Sequence, residues 1–201
     1  MKILSIAVGL ALLAGGSAVA QTEPSPPPTQ RGMIDHLINS PFVRNWNTWG
    51  LAAQPTPHAA EGVTGREALT IDVQRAGDPW SVGAVMTNSG AIKTGDVVLL
   101  GVWVRAVRLP EGQSETRVPI VLLEGQGEPK ITLAQATNLV VRDEWRMLYA
   151  SGVATADIAP GQSSIIIQMG QARHRLELGP ALVFNFGPDY DRSQLPQNPT
   201  D

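Results

Sequence analysis

The stretch 95-GDVVLLGVWVRA-106 decides the fold. Read alternately, Val98, Leu100, Val102 and Val104 form one set, and Val97, Leu99, Gly101, Trp103 and Arg105 form the other. Side chains alternate faces along a strand, so the first set is an unbroken aliphatic face. The second opens from aliphatic residues into a bare backbone, an indole and a guanidinium. The pattern predicts a strand whose aliphatic face lies on the core and whose Trp103/Arg105 face turns outward.

The same alternation recurs on either side. Leu69, Ile71 and Val73 alternate with Thr70, Asp72 and Gln74, and Ile165, Ile167 and Met169 alternate with Ser164, Ile166 and Gln168. Leu100, Val102 and Ile167 are therefore expected in the core. Residues 118–123, 145–153, 176–178 and 182–186 read as further strands. Turn signals separate them at Gly90, Gly95, Pro110-Glu111-Gly112, Gly125-Gln126-Gly127, Pro160-Gly161 and Gly179-Pro180. Short strands between frequent turns, with no long helical period, predict an all-β fold. The expected form is an antiparallel two-sheet jelly-roll sandwich of about eight to ten strands. Only residues 34–39 and 133–137 read as short helices.

The flanks read differently. Lys2 precedes an apolar run, and Ala18-Val19-Ala20 fits a small-x-small cleavage site. Residues 1–20 are thus expected to be a secretory signal peptide, too short and wrongly flanked for a membrane span. No Cys follows the run, which argues against a lipid anchor there. Residues 21–32 contain QTEPSPPPTQ, a proline-rich spacer that cannot pack. Residues 33–190 are the expected folded domain, and 191–201 a frayed, disordered tail. No internal repeat is evident.

The net charge of −3 lacks the basic face that nucleic acid requires. The chain has no Cys, so an exported protein of this kind is held by its core and not by disulfides. A bacterial periplasm or exterior fits that composition.

Five segments occur in a telling order. They are INSPFVRNWNTWG (residues 38–50), VTGREALTIDV (63–73), DPWSVGAVMTNSGAIKTGDVVLLGVWVRA (78–106), EWRMLYASGVA (144–154) and IIIQMGQARHRLELGPALVFNFG (165–187). Together they resemble the jelly-roll carbohydrate-binding modules attached to bacterial cellulases and xylanases, within the galactose-binding-like group. The resemblance spans nearly the whole folded part. It implies a sandwich with one concave sheet bearing a cleft, a polysaccharide or oligosaccharide ligand, and a structural calcium. Asp189 and Glu61 are candidate contributors to that calcium, which needs only carboxylates and carbonyls.

Sugar binding needs flat apolar surfaces for pyranose C–H faces and planar polar groups for hydroxyls. Trp103 and Arg105 on one strand, and Gln168 on another, meet that need and are expected to share a groove. Gly101 would leave a gap where a ring could approach. Trp80, after the turn-prone Asp78-Pro79, is expected at the rim. Gln126, on a Gly-bounded loop with Glu128, could reach the ligand. The alternative for Trp103 is packing under a loop, and for Arg105 an ion pair with a nearby carboxylate. Trp145 and Tyr149 read as structural, and Trp46 and Trp49 as a plug at one end of the sandwich.

No catalytic constellation stands out. His36, His58 and His174 lack metal-ligand spacing, and His174, in Arg173-His174-Arg175, is expected on an exposed hairpin. There is no GxSxG elbow, and carboxylate pairs for glycosidase chemistry carry no pattern. The reading is a secreted or periplasmic, non-catalytic carbohydrate-binding protein. The alternatives are a structural or protein-interaction domain with a partner in the envelope, and a small polysaccharide lyase or hydrolase.

Overall fold

The computed structural model describes residues 32–199. The expected signal peptide and nearly all of the expected proline-rich spacer lie outside the described residues. Ten strands follow one another: β1 (Asn47–Trp49), β2 (His58–Ala59), β3 (Glu67–Val73), β4 (Gly83–Asn88), β5 (Val97–Arg108), β6 (Thr116–Gly125), β7 (Ile131–Val141), β8 (Arg146–Val153), β9 (Ser163–Gln168) and β10 (His174–Asn185). They form two five-stranded antiparallel sheets, ordered β1-β4-β9-β6-β7 and β2-β3-β10-β5-β8. The architecture is the expected two-sheet sandwich. No helix among the described residues is long and apolar enough to cross a membrane.

The alternation of β5 explains the core. Val98, Leu100, Val102 and Val104 are fully buried and meet Ile165, Ile167, Val121 and Leu123 of the facing sheet in one cluster. Removing this apolar surface from water is the main favourable contribution to folding. The other face of β5 divides in two. Val97 and Leu99 lie under Phe184 and Leu195, while Trp103 packs beside Ala60, Val63, Ala68 and Trp145.

Several expectations are corrected. Residues 133–137 lie inside β7, where pairing with β6 from Leu139↔Val118 to Ile131↔Gly125 overrides a weak local helix pattern. The other helix candidate shortens to a 3-10 turn, Met33–His36. His174 is not on an exposed hairpin. It opens β10 with the parity of Leu176 and Leu178 and is completely buried. The gap expected at Gly101 is filled by Met147 and Tyr149 of β8. Residues 191–199, expected to belong to a frayed tail, are mostly exposed, with Leu195 buried among them. Asn198 both donates to the Tyr149 carbonyl (2.7 Å) and accepts from its N–H (2.8 Å).

Candidate functional site

The outer face of the β1-β4-β9-β6-β7 sheet is built by parity from the core outward. Ala84, Met86, Ile165, Ile167, Val121 and Leu123 point in, so their neighbours point out. Cross-strand register then aligns these neighbours into rows. One row runs Trp49–Gly83–Gln168–Ile120–Thr137. The next runs Asn47–Val85–Ile166–Leu122–Gln135, and a third Thr87–Ser164–Glu124–Thr132. Val85, Ile166, Leu122 and Ile120 are half-buried, giving an aliphatic floor that solvent can reach. Amides, hydroxyls and a carboxylate flank it on both sides.

The tryptophan end of this face depends on two glycines. Gly50 takes φ +74°, and a Cβ there would run into the Ser81 carbonyl, so the chain can leave β1 only through glycine. Gly83 has no side chain because the Trp49 ring lies where its Cβ would be. Trp49 Nε1 donates to the Trp80 carbonyl at 2.8 Å. Trp80 itself sits on the 3-10 turn Pro79–Ser81 with its side chain well exposed. Next to the Trp49–Gly83 pair lies Gln168, whose Oε1 is buried without a hydrogen-bond partner. A buried acceptor left unpaired is unfavourable until a donor reaches it.

At the other end, Gln126 Nε2 donates to Ser164 Oγ at 3.4 Å. Lys130 Nζ lies 3.2 Å from Glu124 Oε1. The sheet thus brings Gln126 and Gln168 to one face, at its two ends, and the Trp80 turn lies beside Trp49 at the Gln168 end. It also recruits Trp49, read from the sequence as a plug. That reading does describe Trp46, which is buried and donates to the Gly179 carbonyl at 3.0 Å.

Trp103 and Arg105 do not join them. β5 belongs to the opposite sheet, so the expected three-residue groove of Trp103, Arg105 and Gln168 does not form. Arg105 Nε donates to Glu177 Oε2 at 2.7 Å, and its guanidinium lies 5.0 Å from the Trp145 ring centre. Trp145 Nε1 in turn donates to the Glu61 carbonyl. These are the packed and ion-paired alternatives weighed from the sequence.

The two suggested calcium contributors do not meet. Gly187, two residues before Asp189, accepts from the Val97 N–H, whereas Glu61 is tied to Trp145, beside the Val104–Arg146 pair. The backbone near Asp189 is thus tied at Val97, the start of β5, and Glu61 lies by its later half. No group of three or more His, Asp or Glu side chains suited to a metal occurs among the described residues. The residues named for a shared calcium do not fit one.

No family model and no curated protein matches the sequence. Solved structures do match. The second N-terminal cellulose-binding domain of Cellulomonas fimi β-1,4-glucanase C superposes with a TM-score of 0.52 at 16% identity, covering 75% of this chain and 93% of that one. The fold is that of the carbohydrate-binding modules of cellulases and xylanases. The N-terminal cellulose-binding domain of the same glucanase gives 0.51 at 20% identity, covering 74% and 91%. The CBM22-1–GH10 modules of Clostridium thermocellum endo-1,4-β-D-xylanase 10B, complexed with xylohexaose, give 0.52 at 14% identity, covering 75% and 29%. This chain spans less than a third of that two-module structure. At these identities the likeness to carbohydrate-binding modules is one of fold.

Proposed function

We propose that this chain is an exported, non-catalytic carbohydrate-binding protein that holds a polysaccharide or oligosaccharide on the outer face of the β1-β4-β9-β6-β7 sheet. The observation that carries this reading is the composition of that face. A half-buried aliphatic floor (Val85, Ile166, Leu122, Ile120) is flanked by Gln168, Gln135, Ser164 and Glu124 and closed at one end by Trp49 and Trp80. Apolar C–H faces of pyranose rings suit the floor and the indoles. Hydroxyls suit the amides and the carboxylate. The floor lies on paired strands, so little ordering accompanies binding. Contacts to a well-hydrated ligand remain few, which places dissociation constants in the micromolar to millimolar range, about −8 to −4 kcal/mol.

Calorimetry against β-glucans, xylans, mannans and uronate polymers tests the reading. Trp80→Ala and Gln168→Ala should each weaken a positive hit with little change in melting temperature, because Trp80 is exposed and Gln168 points away from the core. Binding that neither change weakens would overturn the assignment of this face. The aliphatic floor, which lacks a central aromatic, also suits a protein partner in the envelope. That is the reading left if no glycan binds. Export is tested separately: the secreted form should begin at Gln21, by mass spectrometry.

A further inference from the structure

The structure assigns a second saccharide site, specific for a sugar bearing a carboxylate, to the cleft between β3 and the 50–57 loop. This inference rests on the geometry around β3 and is independent of the glycan face proposed above. The loop leaves β1 in one sheet and enters β2 in the other. β2 covers the outer edge of β3 only at Ala68 and Glu67. Beyond that point two adjoining clefts open, of about 360 and 410 Å³, and they share Ala52, Asp72 and Gln74. Each is within the range of small-ligand sites.

The lining is mixed in the way a sugar requires. Leu51 and Pro55 offer apolar contact, and the Thr70 hydroxyl, 3.1 Å from His58 Nε2, offers a polar one. Gln74 and Arg75 are exposed and have no side-chain partner among the described residues.

The charge is what makes the site selective. Asp72 is the only acid lining either cleft, and it is already engaged. Its Oδ1 accepts from Arg108 Nη2 at 2.6 Å and its Oδ2 from Arg175 Nη2 at 2.7 Å. Arg175 retains a buried Nε with no partner. Two guanidinium groups, those of Arg108 and Arg175, thus converge on one carboxylate, and the unpartnered Arg75 lines one of the clefts beside it, in a chain whose net charge is −3. A neutral sugar would leave that surplus unanswered. A uronic acid would place its carboxylate against Arg75, in the fork geometry that guanidinium favours. Its ring hydroxyls would then meet Gln74 and the free lone pairs of Asp72.

The test is an amide chemical-shift titration of the labelled folded protein with methyl glucuronoside, and with methyl glucoside as the neutral twin. Glucuronoside should move the Gln74 and Arg75 signals, and glucoside should move them far less. Raising salt to about 0.5 M should weaken the response. Arg75→Ala should weaken it about two- to fivefold, the scale of one exposed ion pair. The Ile166 and Leu122 signals should stay still in the glucuronoside titration, which separates this site from the glycan face. A neutral oligosaccharide that moves the Ile166 and Leu122 signals would support the glycan face whatever happens at Arg75. Equal responses to the two glycosides, silence at Gln74 and Arg75, or an unaltered response in Arg75→Ala would each overturn the second site.

Discussion

Arg105 and Gln168 lie on opposite outer faces of the sandwich, one on β5 and the other on β9. The two strands belong to different sheets, and the core cluster separates them. Arg105 is accordingly a structural residue: it pairs with Glu177, whose side chain is only 11% exposed, and it lies over Trp145.

Arg105→Ala should therefore destabilise the fold while leaving glycan binding on the other sheet intact. The change leaves a mostly buried carboxylate with only His58 Nε2 near it, at 3.7 Å, and the expected loss is about 1–3 kcal/mol. It falls below the range for fully buried pairs because Arg105 is itself 31% exposed. Urea unfolding measures the loss, and affinity electrophoresis checks the binding. A variant as stable as the parent would show that Glu177 is adequately solvated without its partner.

Leu100→Ala and Ile167→Ala should be more severe. Both side chains are fully buried in the single cluster between the sheets. Truncation there removes buried methyl groups and leaves a cavity, at about 2–5 kcal/mol each. The two melting-temperature shifts should clearly exceed that of Gln168→Ala, whose side chain lies on the same strand as Ile167 with opposite parity.

How much of this was legible in the sequence follows from what alternation encodes. Parity along β5 and β9 correctly separates core from surface at Leu100, Val102, Ile167, Arg105 and Gln168. It says nothing about which sheet a strand joins, because that choice depends on partners more than 60 residues away, such as Gly101↔Leu182. Outward residues on two strands can therefore look like neighbours in the sequence and yet, as Arg105 and Gln168 do, face away from each other. His174 was legible: it shares parity with Leu176 and Leu178, but its arginine neighbours suggested an exposed turn. Trp49 was not, because its place over Gly83 depends on the β1–β4 register and on the left-handed Gly50. Residues 133–137 show the reverse case, where tertiary pairing overrides local propensity.

Buried His174 makes stability depend on pH. Burial is the main cause that lowers its pKa from 6.5 to about 4. Nε2 lies 3.0 Å from the Met169 carbonyl, which can only accept, so Nε2 carries the proton. Nδ1 then accepts from the Thr116 hydroxyl at 2.7 Å. Because the folded pKa is depressed, the unfolded chain binds the extra proton first. The neutral-imidazole contribution is complete above pH 6.5 and is lost as pH falls toward 4. The loss is about 3 kcal/mol over that window. Chemical denaturation at pH 7 and pH 4.5 should show it. His174→Gln should be less stable at pH 7 and should flatten the slope between the two values. An unchanged slope would mean that other groups set the acid sensitivity.

Gly83→Ala tests whether Trp49 belongs to the binding floor. A methyl group at this position would overlap the Trp49 ring and lie 2.6 Å from the Ile167 carbonyl. The backbone of β9 is held by pairing on both sides, through β4 and β6, so the ring must yield. The indole would lift from the sheet and its hydrogen bond to the Trp80 carbonyl would break. Overpacking of this kind is expected to destabilise by about 1–3 kcal/mol. Glycan binding should weaken at the same time, as much as in Trp49→Ala, because both changes remove the flat surface beside Gln168. The measurements are urea unfolding and calorimetry on the two variants. A loss of stability with full binding in Gly83→Ala would confine the floor to the aliphatic rows and leave Trp80 as the only indole at its end.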